Sequence, residues 1–257
     1  MSSDLLVERN GVVLDVAFNR PAQHNAMTWE MYEGLHEACE RADADPGIAV
    51  LRLRGAGDRA FVAGTDIGQF TEFTTGADGV AYEEKIERVV NRLEAVSVPT
   101  VAVVRGYCVG GGLAIAAVCD IRLAAPSARF GVPVARTLGN CLSMNTYSLL
   151  VHHLGPARTL DLLLRARMFT AEEACTAGFV AEVRDGIELD RCADETVERL
   201  ARHAPLSMWA AKEAVRRLRH ARLPDGDDIV SRVFASADFH TGVRAFLDKE
   251  KPAWSGR

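Results

Sequence analysis

The sequence contains no apolar run long enough to cross a bilayer. Its longest, around residues 113–118, falls far short of the about 20 residues a spanning helix needs, so no membrane role is expected. Its cysteines, Cys39, Cys108, Cys119, Cys141, Cys175 and Cys192, are scattered without a C-x-x-C pair. That argues against a zinc ribbon or a disulfide framework and leaves most of them as buried small apolar residues. Positive charge is not in excess: 30 Lys and Arg against 35 Asp and Glu give a net charge of −5, which disfavours nucleic acid as a partner. The opening "MSSDLLVERNG" has early acids and no apolar core of signal-peptide length, so a cytoplasmic location is expected. Internal repeats and low-complexity tracts are missing as well. His24, His152 and His153 lack ligand spacing with any second cluster, and no metal site is expected.

What is present suits one large domain with a terminal appendage: 257 residues, 48% hydrophobic and 25% charged. "LLVERNGVVLDVAFNRP" predicts a hairpin around Asn10-Gly11. "MTWEMYEGLHEACERADADPG" predicts a helix capped by Thr28, with Met31, Leu35 and Ala38 on one face and Pro46-Gly47 as its stop. "IAVLRLRG" and "TVAVVRG" read as strands. Between them "DRAFVAGTDIGQF" reads overall as a loop, followed by a helix around "YEEKIERVVNRLEAV". Alternating strands and helices imply an α/β fold with crossover connections. Short strands are expected in "CDIRLAAPSARFGVP", and helices dominate thereafter, with a break near residue 200 at "HAPLS". The arginine-rich "KEAVRRLRHARLP" (212–224) reads either as the solvated face of a helix or as a contact for a phosphorylated ligand or another subunit.

"GYCVGGGLAIAAVCDI" (106–121) places three glycines between a strand and an alanine-rich helix. Glycines there let a ligand approach bare backbone, and a helix start leaves N–H groups unpaired, so an anion or oxyanion site is expected. The loop lacks the Lys-Ser/Thr of a nucleotide P-loop and does not fit the dinucleotide fingerprint. The plain alternative is that the glycines serve only tight helix–strand packing. "AFVAGTDI" (60–67) supplies a second such place, with Ala63-Gly64-Thr65 just after a short strand. Two loops of this kind, each ending a strand of one sheet, would converge on a single carbonyl oxygen.

These segments, with "FNRPAQHNAM", "ARFGVP", "LGPARTLDLLL", "AEEACTAGFVAEV" and the tail "VRAFLDKEKPAWSGR", resemble the crotonase superfamily, the enoyl-CoA hydratase/isomerase family, nearly end to end. The resemblance implies an α/β spiral of stacked ββα turns over residues 1–200. It also implies a helical region over 201–257 that trimerises, as a homotrimer or a dimer of trimers. It implies an acyl-CoA thioester as substrate, coenzyme A present only as part of it, and no prosthetic group. By motif position the oxyanion N–H groups belong to Thr65 and Gly111. Ala63, Thr65, Asp66, Ile67, Gly68 and Gly111 would line the path of the CoA and its acyl group, with Phe246 and Lys249 contacting it from the terminal helix. For Asp66 the motif implies a loop-shaping role, and for Lys249 a plain solvated lysine is the competing reading.

The two glutamates with which hydratases of this family activate water would stand, by the same resemblance, at Ala114 and Val134. Neither side chain exchanges protons, so efficient two-glutamate hydration is not expected. In "VARTLGNCLSMN" (134–145), Asn140, Cys141 and Ser143 are the polar or nucleophilic members. Asn140 can bond a substrate or hold water but is no base, and Cys141 is a nucleophile only if exposed and acidified, the other reading being a buried small residue. Glu72, Glu83 and Glu84 belong to a stretch that walls the acyl pocket in relatives and are read here as solvated helix charges. Isomerisation, decarboxylation, thioester hydrolysis and weak hydration stay open, as does a non-catalytic acyl-CoA-binding protein.

Overall fold

The computed structural model describes residues 4–221 and 223–256, so Arg222 of the arginine-rich stretch and Arg257 of the tail lie outside the described residues. The expected hairpin is present as β1 (Leu5–Asn10) and β2 (Val13–Phe18), paired antiparallel. Helix α1 (Trp29–Ala44) starts where Thr28 Oγ1 accepts the Met31 N–H at 3.3 Å, and it buries Met31, Tyr32, Leu35 and Ala38. Next come β3 (Val50–Gly55), β4 (Ala60–Ala63), a short 3-10 turn (Ile67–Phe70) and α2 (Gly76–Glu94). Then follow β5 (Thr100–Val104), β6 (Tyr107–Val109), α3 (Gly111–Val118), β7 (Ile121–Ala124), β8 (Arg129–Gly131), α4 (Val134–Thr137) and α5 (Met144–Leu164). The chain ends with β9 (Met168–Thr170), α6 (Ala171–Thr176), β10 (Glu182–Val183), α7 (Gly186–Leu200), α8 (Pro205–His220), α9 (Asp227–Phe234) and α10 (Ala237–Asp248).

The element order repeats strand, strand, helix. In three successive repeats the first strand (β3, β5, β7) joins a six-stranded sheet ordered β1-β2-β3-β5-β7-β10, and the second (β4, β6, β8) joins a four-stranded sheet ordered β4-β6-β8-β9. Each repeat lies beside the last through parallel pairs, so the chain winds as a spiral. Strand β5 is buried along its whole length, which is why "VAVV" after Thr100 is continuously apolar rather than alternating.

Two expectations are corrected here. The stretch 58–70 is not one loop, since it holds β4 and the 3-10 turn. The strand that leads into the glycines is β6, not the "TVAVVRG" strand, because the chain leaves β5 at Val104 and crosses to the second sheet. Both strands are apolar and only two residues separate them, so hydrophobic periodicity does not register the crossing.

The C-terminal helices divide in role. α9 folds back on α2 and α10 on the 3-10 turn and α9, where Phe70, Phe73, Tyr82, Phe234 and Phe239 form an aromatic cluster with ring centroids 4.7–6.5 Å apart. α8 buries none of its residues, and Leu206, Trp209 and Leu218 stand exposed. Among the described residues the cations of the arginine-rich stretch are paired: Lys212 with Asp120, Arg216 and Arg217 with Glu213 of their own helix, and Arg219 with Glu94. Neither expectation for that stretch describes Arg219, whose side chain is 3% exposed. No helix among the described residues is long and apolar enough to cross a membrane.

Candidate active site

A cavity of about 430 Å³ opens where β4 and β6 end, walled by α2 on one side, the turn after β8 on another and α10 at its mouth. Thr65 follows β4 and forms a parallel bridge with Met27. The Met27 N–H donates to Gly64 O and the Asp66 N–H to Met27 O, each at 2.9 Å, which leaves the Thr65 N–H pointing away from Met27. Gly111 begins α3, where an N–H has no partner within its helix. Among the described residues neither of these two amides bonds to another backbone group. The residue before each donor is a glycine with positive φ, Gly64 at +97° and Gly110 at +55°, a backbone shape that other residues seldom adopt. The two loops abut: a Cβ on Gly110 would lie 3.7 Å from Gly64 Cα, and one on Gly111 3.6 Å from Thr65 Oγ1. Packing is served as well, since a Cβ on Gly112 would meet Val62 O at 2.2 Å. Two free amides on one cavity wall can hold an oxygen that gains negative charge.

Behind the Thr65 donor lies a chain of hydroxyls that sequence reasoning missed. Thr65 Oγ1 is 3.0 Å from Tyr32 Oη and 2.8 Å from Tyr82 Oη, all three residues buried. Burial drives the proton affinity of both phenols up, with the bond to Thr65 opposing it, so both stay neutral. On the sequence the two tyrosines sit on the apolar faces of helices and read only as core.

The inner wall is hydrocarbon: Ala114 on the first turn of α3 and Val134 at the start of α4 both line the cavity, with Ile86, Leu138 and Leu142. Two lining residues carry carboxyls. Asp66 is committed to its own loop, accepting Arg20 Nη1 at 3.0 Å and the Gly68 N–H at 3.2 Å. Glu83 is different. It is 8% exposed, so reading it as a solvated helix charge is corrected, whereas Glu72 and Glu84 are exposed. Its Oε2 accepts the Ser143 N–H at 3.1 Å. Burial raises its pKa to about 8, and the Ser143 bond offsets only part of that. The signal available in the sequence was its place beside Tyr82 on α2, at helical spacing from the core residues Ile86 and Val90.

Of the remaining candidates, Ala63, Ile67 and Gly68 line the cavity beside Thr65 and Asp66, and Asn140, Cys141 and Phe246 line it from the other side. Asn140 Oδ1 is enclosed without a partner. The Cys141 thiol is buried and its pKa is pushed up to about 12 by burial, opposite to what a nucleophile needs. Ser143 is engaged as the cap of α5, its hydroxyl accepting the Thr146 N–H at 3.3 Å. Lys249 lies outside the lining, exposed at the C-cap of α10 three residues beyond Phe246. Among the described residues no three His, Cys, Asp or Glu side chains gather as a metal site would require.

A family model described as enoyl-CoA hydratase/isomerase matches residues 8–257. The chain is 32% identical over 259 residues to 2,3-dehydroadipyl-CoA hydratase of Escherichia coli (strain K12), covering 99% of this chain and 100% of that one. Among solved structures it resembles an enoyl-CoA hydratase/carnithine racemase from Magnetospirillum magneticum with TM-score 0.81 and 32% identity, covering 100% of this chain and 97% of that one. A methylmalonyl-CoA decarboxylase in complex with 2-nitronate-propionyl-CoA shares the fold with TM-score 0.91 at 24% identity, with 100% of both chains covered.

Proposed function

Because the chain belongs to the enoyl-CoA hydratase/isomerase family, we propose that its cavity takes an acyl-CoA thioester and that the Thr65 and Gly111 amides hold the thioester oxygen as an enolate forms. The observation that carries this reading is the pair of unpartnered amides on abutting loops at one cavity wall. Negative charge gathers on that oxygen only as the enolate develops. Donors aimed at it therefore act mainly on the transition state, where one such donor is worth roughly 2.7–4 kcal/mol. The CoA chain would run along Ala63, Asp66, Ile67 and Gly68, with Phe246 and Lys249 of α10 beside it. Coenzyme A arrives as part of the substrate, and the reading calls on no prosthetic group.

Ala114 and Val134 disfavour hydration by two glutamates, since hydrocarbon stands where the resemblance puts both acids. The same hydrocarbon wall favours a second reading, decarboxylation, because loss of carbon dioxide creates the enolate without a base at the α-carbon. Double-bond isomerisation, thioester hydrolysis and binding without turnover are the remaining outcomes of the test. A panel of enoyl, saturated and malonyl-type CoA thioesters, followed by mass spectrometry and by the ultraviolet absorbance of the α,β-enoyl thioester, separates them: a gain of water, a loss of carbon dioxide, release of free CoA, a double-bond shift at constant mass, or binding alone.

The oxyanion assignment is tested by Gly111→Pro. Proline is tolerated at the first position of a helix and removes only the N–H, but its ring would meet the Tyr32 hydroxyl, 2.5 Å from where a Cβ would stand. The variant is therefore made together with Tyr32→Phe and compared with Tyr32→Phe alone. We expect a further loss of about 10²–10³ in kcat with CoA-thioester binding kept. Equal turnover in the two folded variants would remove Gly111 from the role.

The reading extends to assembly. The exposed apolar residues of α8, with Leu164 and Ile187, form surface that a homotrimer or a dimer of trimers would cover. The spiral, residues 1–200, then carries the donors, and residues 201–257 serve oligomerisation through α8 and CoA contact through α10.

A further inference from the structure

We propose that Glu83 moves the proton in this site, taking it from the α-carbon of a β,γ-unsaturated acyl thioester and returning it to the γ-carbon. The assignment rests on the thioester reading above and names the reaction that the site performs, a 1,3-proton shift.

The geometry singles out Glu83. It sits on α2 directly after Tyr82, whose hydroxyl bonds to Thr65, so the helix that braces one oxyanion donor also presents the carboxyl to the same cavity. Its Oε2 is held by the Ser143 N–H. Its Oε1 has no hydrogen-bond partner among the described residues. Nor is it one of the fully enclosed unpartnered side-chain atoms, which are Gln69 Oε1 and Asn140 Oδ1. One oxygen is thus anchored and the other is unbonded, on a side chain that lines the cavity and the adjoining cleft. The other carboxyl in the lining, Asp66, has both oxygens engaged.

Among the described residues no cation is found acting on it. The charged group acting on it most directly is Glu87, on its own helix. Cys141 from the loop before α5, Tyr147 on α5, and Tyr32 and Tyr82 face it as neutral groups. Across the adjoining cleft, which Glu83 also lines, stand Glu84, Glu87, Asp225 and Asp227. Burial and this acidic neighbourhood both favour the protonated form, which makes the carboxylate a stronger base than an ordinary one.

The step balances with one group. The carboxylate takes the α-proton onto Oε1 as the C–H pair moves into the thioester, giving a dienolate whose oxygen lies on the Thr65 and Gly111 amides. The same O–H then protonates the γ-carbon, the double bond settles next to the carbonyl, and the carboxylate is restored. No water, redox partner or second acid is consumed. That suits a wall in which Ala114 and Val134 offer none.

The test compares the intact protein with Glu83→Gln, in which the side-chain oxygen still accepts the Ser143 N–H. A β,γ-enoyl-CoA is followed in deuterated water for isomerisation and for deuterium entry, while calorimetry with the saturated acyl-CoA measures binding. We expect the variant to bind normally and lose about 10²–10⁴-fold in both isomerisation and exchange. We also expect wild-type kcat/KM to rise with pH to a plateau above about 8. In the variant that dependence should disappear, an outcome that a merely structural role would not produce. If wild type binds the thioester but neither isomerises nor exchanges it, or if Glu83→Gln does so at the wild-type rate, the assignment to Glu83 is overturned while the thioester reading stands. If wild type binds no acyl-CoA, the thioester reading itself fails. Should the variant not fold, carbon-13 NMR of wild-type glutamate carboxyls decides: one titrating near pH 8 supports the assignment, and none above the ordinary range removes it.

Discussion

Burial, more than residue type, sets the behaviour of individual groups around the cavity. Glu83 and Glu84 are adjacent in sequence, yet one is enclosed against Ser143 and the other lies in solvent. Helical spacing from Ile86 and Val90 points to Glu83, but the enclosure of its carboxyl depends on how α2 packs against α3 and α9, which the sequence does not record. The consequence for stability has a definite sign. The folded-state pKa of Glu83, about 8, lies above the ordinary 4.5, so between those values the folded protein keeps a proton that the unfolded chain releases. Glu83 therefore costs stability increasingly as pH rises through that window, by up to roughly 1.4 kcal/mol per pH unit. Glu83→Gln removes the term. Urea denaturation of both proteins at mildly acidic and mildly alkaline pH should show the variant gaining on wild type toward the alkaline side, and a pH-independent difference would contradict the burial of this carboxyl.

At the scale of elements, α8 is joined to α2 and α5 by a buried polar network. Arg219 donates to both Glu94 oxygens at 2.8 and 2.6 Å and to Asn145 Oδ1 at 2.7 Å, and the Asn145 amide donates to Asn91 Oδ1 at 2.8 Å. A row of arginines gives no hint of this, because the partner Glu94 lies 125 residues away and only packing brings them together. Arg219→Ala would leave a carboxylate whose side chain is 12% exposed with His220 Nε2, at 2.8 Å, as its remaining side-chain partner among the described residues, at a cost toward the lower end of about 3–5 kcal/mol measurable by chemical denaturation, while Arg217→Ala, at an exposed side chain, should cost far less. Other elements were legible without packing: the Thr28 cap and the Asn10-Gly11 hairpin follow from local rules. The crossing from β5 to β6 was not, since it exchanges one sheet for another within two residues and leaves no change of pattern.

On the scale of the whole molecule, the spiral places successive second strands side by side, and this brings the ends of β4 and β6 together. The apolar surface that the spiral leaves uncovered includes α8, with Leu206 77%, Trp209 45% and Leu218 77% exposed. Light scattering coupled to size exclusion is expected to give a mass of three or six chains, and Leu206→Glu with Trp209→Glu is expected to shift it to the monomer. A wild-type monomer at micromolar concentration would overturn the assembly proposed for this face.

The sequence by itself determined the alternating α/β pattern, both glycine loops and, through the order of its motifs, the family. These depend on local backbone preferences and on spacing along the chain, which a string of residues records. Only the tertiary structure decided which acid lies in the cavity, which hydroxyls stand behind Thr65 and where Arg219 of α8 finds its partners. Each of those depends on distances between residues far apart in the chain and on the exclusion of water, and neither exists until the helices have packed.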